Sequence, residues 1–171
     1  MSVTALPDIL ARDLRVVFCG TAVASASAER GYYFAGPRNA FWELLYRAGF
    51  TPHQLTPEDD TALPSYGIGI TDLVKDAVQS NDRGLDFSRA PDLQLRLAPF
   101  EPRWVAFAGL NAGRKAAKVF GWSAPTYGAQ DWMIGTAQVF VVPNPSAADA
   151  AWPRDGRTKL DWWRELANVT G

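Results

Sequence analysis

Residues 14–20, Leu14-Arg15-Val16-Val17-Phe18-Cys19-Gly20, set the fold reading. After Arg15 the apolar run Val16-Val17-Phe18-Cys19, closed by Gly20, is the form of a strand buried on both faces, as in a parallel sheet. Three more runs have this character: Tyr66-Gly67-Ile68-Gly69-Ile70-Thr71, then Trp104 to Ala108 (WVAFA) closed by Gly109, then residues 138–142 (QVFVV) stopped by Pro143. Helical patterns lie between them. Asn39 caps NAFWELLYRAGF, which puts Phe41, Leu44, Leu45 and Ala48 on one face and Gly49 at its end. Thr56-Pro57-Glu58-Asp59 opens a short helix, with proline in the first turn and acids near its positive end. Residues 93–97, 111–120 and 157–169 read as further helices, and 79–84 as a polar loop. Strands alternating with helices predict an α/β fold: a three-layer α/β/α sandwich around a mainly parallel four-stranded sheet, one domain over residues 1–171.

Sheets of this kind hold ligands beyond the carboxyl ends of their strands. Segments 20–38, 71–82, 109–114 and 143–152 are therefore expected to converge. Composition narrows the chemistry. Of 171 residues, 47% are hydrophobic and 20% charged, an ordinary globular balance. No apolar run is long enough to span a bilayer, and MSVTALPDILARD lacks a signal-peptide pattern, so a soluble cytoplasmic protein without a membrane partner is expected. One cysteine, Cys19, and one histidine, His53, make neither a disulfide nor a closed zinc site of the usual type. Cys19 reads as a buried inert thiol and His53 as a residue of a surface loop. The net charge of −1 speaks against a broad nucleic-acid surface but leaves room for a local basic patch.

Three segments carry candidate chemistry. In GTAVASASAERGYYFAGPRNAFW (residues 20–42), small side chains at 22–28 let backbone approach a ligand, and Tyr32, Tyr33 and Phe34 lie close behind. By itself the segment also fits a flexible loop with its aromatics turned into the core. Glycine-rich phosphate-loop and dinucleotide spacings are absent from it. In GITDLVKD, Asp72 stands just past a strand end, placed for catalysis or for a helix cap. In VVPNPSAADAAW, Asn144-Pro145-Ser146 follows a strand directly, either facing the same rim or marking a turn. Arg114, Lys115, Lys118, Arg154, Arg157 and Lys159 are candidate phosphate contacts, each also readable as part of a solvated face.

Together these blocks resemble the mismatch-specific uracil-DNA and thymine-DNA glycosylases of the uracil-DNA glycosylase superfamily. LRVVFCG with its small-residue loop and FAGPRNAFWELLYRAGF are similar to that family's first block, GIGITDLV to its G-x-T-K/N-L/M-V block, and VVPNPSA to its L-P-N-P-S-G block. Order and spacing agree from about Leu14 to Ser146. There are departures. The family's Gly-Ile-Asn-Pro-Gly, whose asparagine positions the attacking water, is here Gly20-Thr21-Ala22-Val23-Ala24, and Asp72 stands where the family has lysine or asparagine. A divergent subgroup with an aspartate at that place, where the acid is thought to be catalytic, is the better likeness. The family's Gly-Leu-Ser-Arg wedge is replaced by Ala147-Ala148-Asp149-Ala150, which fills little of a vacated base stack; Trp152 is a candidate substitute or a packed aromatic.

The resemblance implies a monofunctional DNA glycosylase, with no metal or organic cofactor, acting as a monomer on DNA that carries uracil or other deaminated or mismatched bases. Asp72 and Asn144 would be catalytic, and Thr21, Ala22, Ser27 and Phe34 would form the base pocket. Ser146, Ala147, Ala148, Arg114 and Lys115 would contact DNA. Lys75, three residues past Asp72, is the nearest lysine to the motifs, so a Schiff-base lyase step is not expected. Two alternatives stay open: a non-catalytic protein that binds uracil or abasic DNA, and a nucleoside-hydrolase-like enzyme acting on small molecules.

Overall fold

The computed structural model describes residues 5–78, 84–147, 149 and 151–171. Most of the expected polar loop at 79–84, and Ala148, lie outside them. Five strands form one sheet: β1 (Val16–Gly20), β2 (Ile68–Asp72), β3 (Trp104–Ala108), β4 (Gly128–Ile134) and β5 (Ala137–Val142). Their order is β2-β1-β3-β5-β4. The pairs β1–β2, β1–β3 and β3–β5 are parallel, and β4–β5 is antiparallel. The α/β class and the mainly parallel sheet are as expected, with five strands instead of four. The unforeseen strand, β4, is an edge strand whose residues alternate between buried and solvent-facing. Trp132 and Ile134 point inward while the polar Gln130 and Asp131 dilute the apolar signal, and Gly135-Thr136 turns the chain into β5.

Helices cover both faces. One layer contains α2 (Phe41–Arg47), α5 (Lys159–Thr170) and a 3-10 helix over Pro57–Tyr66, packed on Val16, Phe18, Ile68, Ile70, Phe140 and Val142. The other contains α3 (Asp92–Leu97) and α4 (Leu110–Phe120), packed on Val17, Cys19, Val105, Phe107, Val139 and Val141. Successive residues of β1 and β5 thus feed opposite cores, which is why their sequences are apolar throughout. Within the loop expected at 20–38, residues Ser25–Arg30 form a short helix, α1, closed by Gly31 in the left-handed conformation. Asn39 Oδ1 accepts the Phe41 N–H at 3.0 Å, but the N-cap of α2 is Ala40, one residue later than expected, and it makes no side-chain cap bond. α5 begins at Lys159, two residues later than its sequence pattern suggests, because Thr158 and Asp161 form a reciprocal capping box.

The chain runs from β1 outward to β2, then crosses back to β3 on the other side of β1. This reversal opens a crevice at the carboxyl ends of β1 and β3. Ahead of β1, Ile9 pairs with Ile70 through two backbone hydrogen bonds of 2.9 Å and so lies along the outer edge of β2. Gly69 permits this approach, since a Cβ there would meet the Ile9 carbonyl oxygen at 2.6 Å.

Candidate active site

Asp72 is the last residue of β2, paired in register with Gly20 at the end of β1. The missing side chain of Gly20 makes room for the carboxylate, because a Cβ at that position would lie 2.8 Å from Asp72 Oδ1. The chains leaving the two strands stay joined. Leu73 N–H donates to the Gly20 carbonyl at 2.9 Å, Val74 N–H donates to the Thr21 carbonyl at 2.8 Å, and Val23 bridges Val78. The small-residue loop is thereby held beside Asp72, with Thr21 and Ala22 half-buried.

The Asp72 residue is only 4% exposed. Burial pushes its carboxyl up to about 7; Lys75 and Arg96 pull it down, and Asp8 raises it further. Lys75 Nζ lies 3.7 Å from Asp72 Oδ2, an ion-pair distance but too long for a hydrogen bond. Oδ2 is a buried oxygen that accepts no hydrogen bond from the described residues. The donors of Lys75 point elsewhere: to the Leu6 carbonyl at 2.7 Å, to Tyr33 Oη at 3.0 Å, and to Asp8 Oδ1 at 2.9 Å. Asp8 also accepts from Arg96 Nε at 3.2 Å and from Thr71 Oγ1 at 2.7 Å. An Arg96 amino group closes the network by donating to the Asp72 carbonyl. Asp8, Arg96 and Tyr33 went unforeseen as parts of this site. Asp8 sits in a segment with no motif, and its partners lie 63 to 88 residues away.

Phe34 has a φ of +50°, in the left-handed region that costs a bulky residue on the order of 1 kcal/mol or more. Its neighbours are clamped. Tyr33 N–H donates to Asp60 Oδ2 at 3.2 Å, Ala35 N–H donates to Ser27 Oγ at 3.0 Å, and Arg30 donates to the Ala35 carbonyl at 2.8 Å. One face of the half-buried Phe34 ring stacks on Phe41, with centroids 4.1 Å apart. Ser27 is buried, and the hydrogen bond it accepts fixes the turn that presents Phe34.

The loop after β5 forms the other part of the rim. Four successive carbonyls are anchored: Pro143 by Trp163 Nε1 at 3.1 Å, Asn144 and Ser146 by Lys159 Nζ at 2.6 and 3.2 Å, and Pro145 by Ala40 N–H at 2.9 Å. The last of these sets the loop against the start of α2, next to Phe41. Asn144 Oδ1 accepts the Ser146 N–H at 2.9 Å. Its side chain sits over Gly109 (φ +113°), where a Cβ would approach within 3.0 Å. Asn144 lines a cavity of ≈ 400 Å³ with Gly109, Asn111, Arg114, Tyr127 and Arg154.

The expected basic cluster divides. Arg114 is exposed on α4, and Lys115 lies over the Phe87 ring at 5.3 Å. Arg154 pairs with Asp149 at 2.9 Å, Arg157 pairs with Glu165 at 3.1 Å while stacking on Trp162, and Lys159 is turned inward to the loop carbonyls. Trp152 donates Nε1 to Asp149 at 3.1 Å and packs edge-on against Tyr127, as a locked aromatic. Ala147 is exposed at the tip of the loop. Cys19 is buried, which pushes its thiol well up, and His53 is exposed. Among the described residues no helix is long and apolar enough to cross a membrane, and no three metal-ligating side chains come together.

Comparison with known proteins agrees with this architecture. A solved structure similar to this chain is a solution NMR structure from Methanosarcina acetivorans named a "putative Uracil DNA glycosylase". It shares 20% identity at a TM-score of 0.57, over 98% of this chain and 99% of that one, and so supports the fold. The sequence model of the Uracil DNA glycosylase superfamily matches residues 7–167, nearly the whole chain, and this protein belongs to that superfamily.

Proposed function

We propose that the protein is a monofunctional DNA glycosylase that hydrolyses the N-glycosidic bond of uracil in DNA, and that Asp72 is its catalytic group. The observation that carries this reading is the Asp72 carboxylate itself: buried at the β1–β2 rim, beside a cation, with Oδ2 accepting no hydrogen bond from the described residues. A glycosylase first draws the nucleotide out of the duplex, at a cost of a few kcal/mol. The Phe34 face not stacked on Phe41 would receive the flipped base, and the backbone at Thr21 and Ala22 would line its edge. Cleavage of the bond between C1′ and the base nitrogen leaves the bonding pair on the base and positive charge on the sugar. Anionic Asp72 stabilises that charge and accepts a proton from the water that adds to C1′. Backbone N–H groups of the first loop stabilise the departing base anion. Asn144, Ser146 and Ala147 hold the sugar-phosphate, with Arg114 and Lys115 as phosphate contacts. Mismatch recognition within the mismatch-specific subgroup, a monomeric state and a cytoplasmic setting belong to the same proposal.

A second reading has one observation in its favour. A carboxyl titrating near 7 is partly neutral at physiological pH, and a neutral acid suits recognition better than base catalysis. Incubation with a uracil-containing oligonucleotide followed by alkali separates the two. Strand breaks that disappear in Asp72→Asn support the glycosylase; a gel shift without breaks selects a binding protein. A panel of uracil, thymine, hypoxanthine and xanthine, in paired, mispaired and single-stranded contexts, fixes the base.

A further inference from the structure

We propose that Lys75 and Asp8 form a positioning pair for Asp72: the Lys75 ammonium keeps the carboxylate anionic, while Asp8 holds that ammonium back so that Oδ2 stays open to water. This rests on the reading of Asp72 as the catalytic group.

A buried carboxylate is held charged by hydrogen bonds to its oxygens or by a cation close enough to act through space. At Oδ2, Asp72 has the second. Lys75 reaches 3.7 Å from Oδ2, and its three donors are spent on Leu6, Tyr33 and Asp8 at 2.7 to 3.0 Å. Without Asp8 the ammonium would be drawn onto Asp72 and occupy the oxygen that the reaction needs. Arg96 fixes Asp8 from the other side at 3.2 Å, and Thr71 Oγ1 fixes it at 2.7 Å. The strand-edge pairing of Ile9 with Ile70 delivers Asp8 to this place, so the N-terminal segment forms part of the active site.

The groups facing Asp72 are Lys75 from its own loop, Asp8 from the N-terminal segment, Arg96 from α3, Tyr33 from the first loop and Cys19 from β1. Burial pushes the Tyr33 hydroxyl and the Cys19 thiol well up, so both stay neutral over the working range and the charges that matter are Lys75, Asp8 and Arg96. Lys75 and Arg96 also line a cavity of ≈ 240 Å³ with Leu73, Asp76, Arg89 and Asp92, which gives the cations solvent that Asp72 lacks. The same bonds keep the Lys75 amine occupied, which disfavours it as a Schiff-base nucleophile.

The two members of the pair push Asp72 in opposite directions, and this makes the test specific. Lys75→Met removes the stabilising charge, so the acidic limb of the excision pH–rate profile should move to higher pH by about one to three units. Lys75→Arg should return it toward the wild-type position. Asp8→Asn removes a repelling charge and releases Lys75, so the limb should move to lower pH while the plateau rate falls, because the ammonium now covers Oδ2. A residue needed only for folding lowers activity without moving the limb in opposite senses. The same titrations are read without DNA by carboxyl 13C NMR of the full-length protein, with the Asp72 signal assigned by its loss in Asp72→Asn. If the protein excises no base, the proposed function fails and the NMR titrations still decide this inference. Should Lys75→Met fail to fold, Asp8→Asn and Lys75→Arg decide it. Asp72 titration that stays put in Asp8→Asn, or that moves in the same direction in Asp8→Asn and Lys75→Met, overturns the proposal.

Discussion

The rim at the ends of β1 and β2 and the rim after β5 are built from similar residue types to opposite ends. At the first, a carboxylate is buried with one oxygen unsatisfied by the described residues, its counter-ion is held at arm's length, and a phenylalanine nearby has a left-handed backbone. At the second, four carbonyls in a row are anchored, and Asp149, Arg154 and Trp152 satisfy one another. The first stores unfavourable electrostatic and backbone energy; the second anchors residues 143–146. Sites that do chemistry tend to store cost, because a fully satisfied group has nothing left to offer a substrate.

The largest effect expected from this contrast is at Asp72. Asp72→Asn should lower excision by about 10²- to 10⁴-fold, the range for loss of a general base. It should also make the protein more stable. The folded carboxyl titrates near 7 against an ordinary value of 3.8, so the folded state holds its proton more tightly than the unfolded chain. The Asp72 contribution to stability is therefore fully present below about pH 4 and is lost as pH rises through 7, and the asparagine variant lacks this component. Urea denaturation at pH 8 should favour the variant by about 1–4 kcal/mol, with the gap closing at pH 4. A variant that is less stable at pH 8 would mean that the first rim stores no such cost.

How much of this was legible in the sequence follows the same divide. The four apolar runs gave themselves away because both their faces are covered, and Asp72 stood out as an acid ending one of them. β4 was hidden because an edge strand half in solvent carries polar residues on its outer face. Asp8 was hidden because nothing local marks it: its meaning comes from Arg96 and Thr71, brought to it by the sheet. The inward turn of Lys159 is equally non-local, whereas the pairings of Arg154 with Asp149 and of Arg157 with Glu165 span only five and eight residues. That spacing of acids was a readable sign that Arg154 and Arg157 are neutralised within the chain.

Next in size is a perturbation of the second rim. Lys159 is mostly buried, its side chain 18% exposed, and it ties down both the Asn144 and Ser146 carbonyls. Lys159→Met should cost about 2–3 kcal/mol in thermal or urea unfolding, since charged hydrogen bonds are lost and two carbonyls are left unpaired. The acidic limb of the pH–rate profile should stay where it is. A shift in that limb would show that the two rims are electrostatically one site. Phe34→Ala acts on the first rim through stacking alone and should weaken capture of uracil-containing DNA by about 1–3 kcal/mol in titration binding. If affinity is unchanged, the ring belongs to the Phe41 core and its backbone strain serves packing.

The smallest effect separates two arginines that line the same cavity. Arg114 is exposed on α4, while Arg154 is paired with Asp149 and hydrogen-bonded to Tyr127 Oη at 3.2 Å. An arginine already neutralised by a neighbouring acid releases few counter-ions when DNA arrives, because its charge is compensated before binding. Arg114→Ala should therefore reduce the slope of log affinity against log salt by about one and weaken binding evenly across sequences. Arg154→Ala should leave that slope nearly unchanged while lowering thermal stability slightly. The reverse outcome would require Asp149 to release Arg154 on DNA binding, and this ion pair would then be a moving part of the site instead of a fixed one.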